Sequence, residues 1–194
     1  MGIAAVVLGY LMGSIPFAVL LTRQRGIALR TVGSGNPGAA NVLRTAGVGL
    51  ATAVVVLDAT KGAVAVVVAR LMDGNIVIAT ASGLAAIAGH AYPAWSGFRG
   101  GKGVAASAGV FAVLAPVATA VAALVFVGTT ATTRFVSAGS LAGAVVLPFA
   151  AAVGDLPGPV VAGAFLASVI VIARHRGNVS RLLSGTERRI GLRS

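Results

Sequence analysis

Six long apolar runs, separated by short polar segments, make up most of the 194-residue chain. They occupy about 2–22, 48–70, 75–95, 104–132, 135–153 and 157–173. A helix needs ~20 predominantly apolar residues to cross the hydrocarbon core of a bilayer, and most of these runs approach that length. The pattern therefore predicts an all-α polytopic membrane protein.

The number of crossings depends on run 104–132, which is too long for one span and contains Pro116 near its middle. The basic segments 23–44, 99–102, 134 and 174–193 should all lie in the cytoplasm. Six crossings from an outside N-terminus would leave the basic tail outside, whereas a break at Pro116 places every basic loop inside. We predict seven transmembrane helices with the N-terminus out and the C-terminus in. Tilted or re-entrant halves of the split run are the alternative.

The first run begins at the N-terminus but does not have the pattern of a cleaved signal peptide. No basic residue precedes it, and Arg23 and Arg25 follow it. We therefore expect a retained first span. Because no linker or second domain is visible, residues 1–194 are predicted to form a single membrane domain.

The composition changes this picture in one respect, namely charge. The chain is 57% hydrophobic and 10% charged, with a formal net charge of +11. The positive-inside bias of cytoplasmic loops accounts for such an excess, and so does a phosphate site on the same side. Little soluble surface remains to wrap a duplex, so no nucleic-acid partner is expected. The absence of Cys excludes disulfides and a thiol nucleophile.

The first glycine-rich loop reads Gly33-Ser34-Gly35-Asn36-Pro37-Gly38. Glycine permits positive φ and close backbone approach, so successive N–H groups can form a concavity for an anion. Ser34 adds a hydroxyl, and Arg44 adds a planar guanidinium suited to phosphate. An ordinary interhelical turn and a phosphate-binding loop both remain compatible with this segment.

The second glycine-rich loop, Arg99-Gly100-Gly101-Lys102-Gly103, follows His90 and Pro93. Lys102 is either a ligand contact or a lysine at the membrane interface. We expect His90 to be packed in the core. After the last run, His175 and Asn178 lie three residues apart and should share a helix face. His175 can act as acid, base or hydrogen-bond donor.

The remaining charged residues receive structural predictions. Asp58 and Lys61 lie three residues apart within the second run, where they either form an internal ion pair or contact substrate. Glu187 is predicted to be a structural salt-bridge hub. The neighbouring arginines are expected to meet lipid headgroups; they are Arg176, Arg181, Arg188 and Arg189.

The absences also limit the chemistry. The chain has four carboxylates, too few for the usual acidic two-metal site, so no metal site is expected. No cofactor is expected either. An acyltransferase His followed five residues later by Asp is missing as well, because Trp95 follows His90 and Ser180 follows His175 at that spacing. An enzyme here would work mainly by positioning and charge neutralisation.

Five segments together resemble the bacterial acyl-phosphate:glycerol-3-phosphate acyltransferase family (PlsY), in the expected order and over nearly the whole chain. They are Gly13-SIP, Val32-GSGNPGAANVLR, Leu57-DATKG, Gly89-HAYPAW with FRGGKGVA, and Arg174-HRGNVSRLLSGTE. The sequence departs from the family pattern at two positions: family members usually have Thr where Ala40 stands and often Asp where Ala28 stands.

The resemblance implies transfer of a fatty acyl group from acyl phosphate to the 1-hydroxyl of sn-glycerol 3-phosphate, at the cytoplasmic face of the bacterial inner membrane. It implies catalytic roles for Ser34, Arg44, Lys102, His175 and Asn178, and a structural role for Glu187. Substrate-binding positions are expected at Gly33, Gly35, Asn36, Gly38, Asn41, Gly100, Gly101 and Gly103. Expected partners are the two substrates, membrane lipids and the enzyme that produces acyl phosphate.

Two functional interpretations follow from these residues. In the favoured one, both anionic substrates meet at basic cytoplasmic loops, and either His175 or the phosphate of the donor accepts the hydroxyl proton. In the alternative, a small transporter or flippase binds an anionic solute or lipid with the same loops and without turnover. Clustering of the polar segments at one face favours the enzyme.

Overall fold

A computed structural model of the chain describes residues 1–191, and Arg193 of the predicted basic tail lies outside them. Within this range the regular secondary structure is entirely helical, with no β-strand and one short 3-10 turn at Ala94–Ser96. The α-helices are α1 (Gly2–Gly13), α2 (Phe17–Arg23), α3 (Ala39–Ala46), α4 (Val48–Asp73), α5 (Ile76–Ala91), α6 (Val104–Leu114), α7 (Pro116–Thr133), α8 (Val136–Val153), α9 (Gly158–Arg174) and α10 (Arg176–Leu183).

The predicted all-α membrane architecture is confirmed, whereas the predicted count of seven spans is not. Among residues 1–191, five helical segments are long and apolar enough to cross a membrane. A sixth is added if α9 and α10, bent by 58° at their junction, form one broken span. The long run does divide at Pro116, but α6 has only 11 residues. At 1.5 Å per residue α6 extends about 17 Å, well short of the ~30 Å hydrocarbon core.

The first apolar run is one span in length but two helices in structure. It breaks at Ser14–Pro16, where the proline cannot donate a helical hydrogen bond. Polar side chains from other helices satisfy the carbonyls at this break: Lys61 Nζ donates to Ile15 O at 2.8 Å, and Trp95 Nε1 donates to Ser14 O at 2.9 Å. In lipid, backbone groups freed by a helix break need such partners.

Small residues bring the helices close together. A Cβ added to Gly109 on α6 would collide with the Ala59 carbonyl on α4, so these two backbones are in contact. The Ser82 hydroxyl on α5 lies 3.0 Å from the Ala5 carbonyl on α1 and 3.1 Å from the Ala65 carbonyl on α4. Close approach at small residues and hydrogen bonds between helices are the usual sources of helix association in membranes.

Helices α7 and α8 form a second layer. α7 packs chiefly against α8 and has no substantial packing with α4. Pro148 lies inside α8 and has no N–H to offer the Ala144 carbonyl. The Ser168 hydroxyl on α9 donates to that free carbonyl and so links α8 to α9. The space left between α6 and this α7–α8 layer holds the candidate site.

Candidate active site

One cavity of about 770 Å³ brings together the polar segments that the sequence separates. Its polar walls are the first glycine loop (33–38) with α3, the end of the second glycine loop at Lys102–Gly103, and the C-terminal segment (174–188). Its apolar walls come from α6, α7, α8 and α9, at Phe111, Ala122, Leu147 and Ala167 among others. Phe111 lies seven residues into α6 from Val104, or about 10 Å deeper.

The first glycine loop is held in shape by Asn41 on α3, which is fully buried. Its Oδ1 accepts from the Ser34 N–H at 2.8 Å, and its Nδ2 donates to the Leu29 and Val32 carbonyls, each at 3.1 Å. Gly33 has φ +61° and lies against the Asn41 side chain, where a Cβ would collide with Oδ1. The family resemblance implies a substrate contact at Asn41, but both polar atoms of its amide are hydrogen-bonded to the loop backbone.

Polar groups in and near this loop face the cavity and can contact a ligand. Ser34 is exposed and lines the cavity. Arg44, in the last turn of α3, lines it as well. The Asn36 Oδ1 atom is buried at the cavity wall without a hydrogen-bond partner among the described residues. A hydroxyl, a guanidinium and an unpaired amide thus face the same space.

The second glycine loop is clamped from the end of α9. Arg174 donates from Nε to the Gly101 carbonyl at 3.0 Å and from a terminal nitrogen to the Gly100 carbonyl at 2.8 Å. Gly101 also packs on the His90 ring, and a Cβ there would collide with Nε2. The two glycines therefore shape the loop but do not line the large cavity. Lys102 and Gly103 line it instead.

A chain of hydrogen bonds joins the second loop to the C-terminal segment. Lys102 Nζ donates to Asn178 Oδ1 at 2.6 Å, and Asn178 Nδ2 donates to Glu187 Oε1 at 2.7 Å. Glu187 also accepts from Ser137 on α8 at 2.9 Å and from Arg181 at 2.8 Å. Because a lysine only donates and a carboxylate accepts, the orientation of the Asn178 amide is defined at both ends.

The electrostatics of the site are dominated by positive charge. Burial lowers the pKa of Lys102 to about 8; the charge of Glu187 opposes this shift, and nearby Arg181, Arg44 and Arg174 add to it. Burial alone would raise the pKa of Glu187, but hydrogen bonds from Asn178, Ser137 and Arg181 hold it below its ordinary value. Glu187 is therefore a carboxylate at neutral pH, and a dianionic ligand would neutralise the cations around it.

His175 lies at the bend between α9 and α10, where it is only 2% exposed and lines the cavity. Its Nδ1 lies 2.8 Å from the Val171 carbonyl. A carbonyl only accepts, so Nδ1 carries the hydrogen of this bond, and in the neutral ring Nε2 keeps a lone pair. Nε2 is therefore the nitrogen able to take a proton.

The intramembrane pair is present beside the site. Asp58 and Lys61 are 2.7 Å apart, and both are at most 5% exposed. His90 Nδ1 lies 3.5 Å from the Asp58 carboxylate. Asp58 and His90 reach the wall of the large cavity, whereas Lys61 points to the helix break at Ile15.

The structure thus gathers Ser34, Arg44, Lys102, His175, Asn178 and Glu187 around one cavity. Gly35, Gly100, Gly101 and Lys61 lie outside its lining. Three of the C-terminal arginines that were expected to meet lipid headgroups also line the cavity: Arg176, Arg181 and Arg188. Arg189 instead lies over the Phe135 ring, with its guanidinium carbon 5.2 Å from the ring centroid.

Several residues of the site were missed from the sequence, among them Arg174, Ser137 and Ser107. Arg174 is one of many basic residues near the membrane, and the two serines look like ordinary small residues of apolar helices. A polar residue inside a span is the only signal that could have singled out the serines. In the described part of the chain, no three His, Asp or Glu residues lie together as a metal-binding group.

Known proteins share this architecture and sequence. Residues 3–185 match the family described as glycerol-3-phosphate acyltransferase. The chain is 50% identical over 193 residues to a Myxococcus xanthus protein of that name, covering 96% of this chain and 98% of the relative. It is 46% identical over 193 residues to a Mesorhizobium japonicum protein of the same name, covering 97% and 96%.

Two crystal structures of PlsY (YgiH), an integral membrane glycerol 3-phosphate acyltransferase, have the same fold. The glycerol 3-phosphate form superposes with a TM-score of 0.94 at 37% identity, over 98% of this chain and 96% of the other. The lysophosphatidic acid form gives 0.92 at 35% identity, over 98% and 95%. The helical membrane fold and its basic cavity therefore define an integral membrane protein of the acyltransferase class. The chain belongs to the glycerol-3-phosphate acyltransferase family.

Proposed function

We propose that the protein transfers a fatty acyl group from acyl phosphate to the 1-hydroxyl of sn-glycerol 3-phosphate, giving lysophosphatidic acid and inorganic phosphate in bacterial phospholipid synthesis. The observation that carries the proposal is the shape and chemistry of the large cavity. One part is lined by Ser34, Arg44, Lys102, His175 and Asn178, and the rest by apolar helices. This combination suits two phosphorylated substrates, one of which has a long hydrocarbon tail.

The donor is placed with its phosphate at the first glycine loop and its tail along α6, α7 and α8. Glycerol 3-phosphate is placed between Arg44, Lys102, His175 and Asn178. The cations and backbone donors reduce the repulsion between two anionic substrates and hold the hydroxyl near the acyl carbon. Glu187 acts through Asn178, because it accepts a hydrogen bond from the Asn178 amide, whose oxygen accepts one from Lys102. Ser137 in turn donates to Glu187.

In the reaction, the glycerol oxygen attacks the acyl carbonyl carbon and forms the new ester bond. The bond between the acyl carbon and the bridging phosphate oxygen breaks, and its electron pair leaves with inorganic phosphate. The hydroxyl proton goes to His175 Nε2 or to a phosphate oxygen of the donor. Phosphate is a good leaving group in an acyl phosphate, so the chemistry requires neither a thioester nor a metal.

The proposed setting is the bacterial inner membrane, with the cavity mouth in the cytoplasm. Seven crossings, with α6 and α7 as two short or tilted passages, would place all basic loops on that side. The enzyme that produces acyl phosphate is the proposed partner, because an amphiphilic donor has to be delivered to the membrane surface.

The direct test mixes the purified protein with palmitoyl phosphate and glycerol 3-phosphate and measures released phosphate and lysophosphatidic acid. Equal amounts of both products support the proposal. Binding without turnover, or flux of either compound through vesicles containing the protein, would support a transporter instead. Palmitoyl coenzyme A as the sole donor is the control, and full activity with it contradicts the acyl-phosphate mechanism.

A further inference from the structure

The intramembrane ion pair and His90 form a continuous series of contacts that ends at the second glycine loop. Lys61 Nζ donates to the Ile15 carbonyl at 2.8 Å and lies 2.7 Å from Asp58 Oδ1. The same Asp58 oxygen lies 3.5 Å from His90 Nδ1. The other nitrogen of the His90 ring, Nε2, packs against Gly101. The contacts therefore run from the helix break between α1 and α2, through α4 and α5, to the loop.

His90 holds the second glycine loop by its backbone as well as by its ring. Its carbonyl accepts from the Gly101 N–H at 3.0 Å, and the Ala91 carbonyl accepts from the Gly100 N–H at 3.1 Å. From the end of α9, Arg174 donates to the carbonyls of the same two glycines. Every polar group of the two glycines is therefore bonded, and the position of the loop is set by α5 and by Arg174.

Asp58 fixes the orientation of the His90 ring. A carboxylate only accepts hydrogen bonds, so Asp58 favours the ring hydrogen on Nδ1 and leaves Nε2 turned to Gly101. Asp58 is 3% exposed and Lys61 is 5% exposed, so water has little access to the pair. A smaller cavity lies beside the ring, lined by Lys61, Gly100 and Gly101 among others. The ring therefore has room to turn if the carboxylate no longer holds it.

The position of Gly101 matters because Lys102 follows it directly. The two Cα atoms are joined by one planar peptide unit about 3.8 Å long, so a shift of Gly101 also moves the lysine backbone. Lys102 Nζ lines the large cavity and donates to Asn178 Oδ1 at 2.6 Å. A misplacement of about 1 Å in a group of an active site costs on the order of a hundredfold in rate.

We propose that Asp58 and His90 are positioning residues that hold Lys102 where it binds glycerol 3-phosphate. Asp58 fixes the His90 ring, and the ring and carbonyl of His90 fix Gly101. The inference rests on the proposed function and adds the intramembrane ion pair to the groups on which the binding of glycerol 3-phosphate depends. Neither Asp58 nor His90 needs to touch the substrate for this role.

The test is a double-mutant cycle between the positioning residues and Lys102. His90→Phe keeps an aromatic ring and leaves the Asp58–Lys61 pair intact, but it removes the nitrogen that faces Asp58. Asp58→Asn removes the carboxylate charge. Each variant is made in the unmodified protein and in Lys102→Ala. Two quantities are measured: kcat/KM for glycerol 3-phosphate with palmitoyl phosphate as donor, and the Kd for glycerol 3-phosphate by calorimetry, which needs no turnover.

Ser82→Ala is the matched control for loss of a buried polar contact. The Ser82 hydroxyl lies within hydrogen-bond distance of the Ala5 and Ala65 carbonyls, and Ser82 lines neither cavity. This variant should lower the midpoint of thermal unfolding and leave kcat/KM and Kd within about a twofold change, because its effect is on stability alone.

We expect His90→Phe and Asp58→Asn to lower kcat/KM and to raise the Kd for glycerol 3-phosphate about tenfold in the unmodified protein. In Lys102→Ala the same substitutions should change either quantity less than about threefold, because a side chain that is absent cannot be misplaced. If Asp58→Asn does not insert, because Lys61 is left as an unpaired buried charge, His90→Phe decides the test alone.

Three results would overturn the positioning role. Equal losses with and without Lys102 would mean that Asp58 or His90 contacts the substrate directly. A loss of the same size in Ser82→Ala would indicate general destabilisation, and unchanged kinetics in correctly inserted His90→Phe would show that the ring does not have to be held. Failure of the proposed function is distinguishable, because the unmodified protein would then bind glycerol 3-phosphate without turnover, and the cycle in Kd would still decide the positioning role.

Discussion

At the scale of single residues, recognition in the cavity depends on geometry as well as on charge. Arg44→Lys keeps the positive charge but loses the planar fork that can hold two phosphate oxygens. A hydrogen bond to a charged group is worth roughly 1.5–3 kcal/mol, so we expect kcat/KM to fall about tenfold to a hundredfold. Steady-state kinetics on correctly inserted protein measure this loss.

A matched substitution separates this role from general anchoring. Arg25 is exposed in the loop after α2 and does not line the cavity, so Arg25→Lys should be silent. If Arg44→Lys is equally silent, Arg44 is only a positive-inside anchor and its assignment to the site is wrong. A loss confined to the KM for glycerol 3-phosphate would assign Arg44 to the acceptor, whereas an equal loss in kcat and kcat/KM would assign it to the transition state.

Lys102 should give the reaction an alkaline limit. Burial lowers the pKa of Lys102 to about 8, so its ammonium group is cationic below that pH and loses its proton above it. We expect kcat/KM for glycerol 3-phosphate to decline above about pH 8, approaching tenfold per pH unit. A pH profile at fixed ionic strength measures the decline.

Lys102→Arg provides the comparison, because a guanidinium stays charged over the whole range. Its lower activity should be accompanied by an alkaline limb moved to higher pH. An unchanged limb in Lys102→Arg, or no decline in the unmodified protein, would show that Lys102 does not titrate in the free enzyme.

Some residues of the site could be predicted from the sequence and others could not. Loop position makes Lys102 a candidate ligand contact, and the family resemblance implies a role for Asn178. The fold places Lys102 Nζ 2.6 Å from Asn178 Oδ1. The same reasoning could not predict that Gly100 and Gly101 turn their carbonyls to Arg174. That contact joins distant parts of the chain, and nothing local to either segment encodes it.

At the scale of helices, close packing depends on glycines with a neighbouring backbone in contact. Gly109→Ala would drive a methyl group into the Ala59 carbonyl, so α6 has to move away from α4. We expect a destabilisation of about 1–3 kcal/mol, typical of overpacking. It should appear as a lower midpoint of thermal unfolding in detergent.

Gly128→Ala on α7 is the control, because a Cβ at that position meets nothing within 4 Å. Alanine is the better helix former by roughly 0.5–1 kcal/mol, so this variant should be neutral or slightly more stable. Equal midpoints for the two variants would mean that the α4–α6 contact contributes little to stability.

The helix break at Pro116 was predictable because the run that contains it is too long for one span. The break at Pro16 was not predicted, although the same chemistry causes it, because run 2–22 has the length of an unbroken span. The break at Pro16 depends on tertiary contacts, because Lys61 donates to the Ile15 carbonyl and Trp95 donates to the Ser14 carbonyl. The length of α6 could not be predicted either, because its 11 residues continue a run that is apolar throughout.

At the scale of the whole molecule, one cavity collects loops that lie far apart in the sequence, and this requires those loops to share one side of the membrane. We predict that the first glycine loop, the second glycine loop and the C-terminal segment all face the cytoplasm. The chain has no Cys, so single-Cys variants report positions without interference. Thr31→Cys and Ser184→Cys sample two exposed positions near the cavity mouth, and Gly158→Cys samples the opposite end of α9.

A membrane-impermeant maleimide added to intact cells should label Gly158→Cys but not the other two, which should react only after permeabilisation. The physical reason is the positive-inside rule together with the convergence of Lys102, His175 and Glu187 on one cavity. Gly158→Cys is the accessibility control. Adding glycerol 3-phosphate before permeabilised cells are labelled should leave its labelling rate unchanged. External labelling of Ser184→Cys in a catalytically active variant would place the C-terminal segment outside and remove the seven-span topology with its cytoplasmic site.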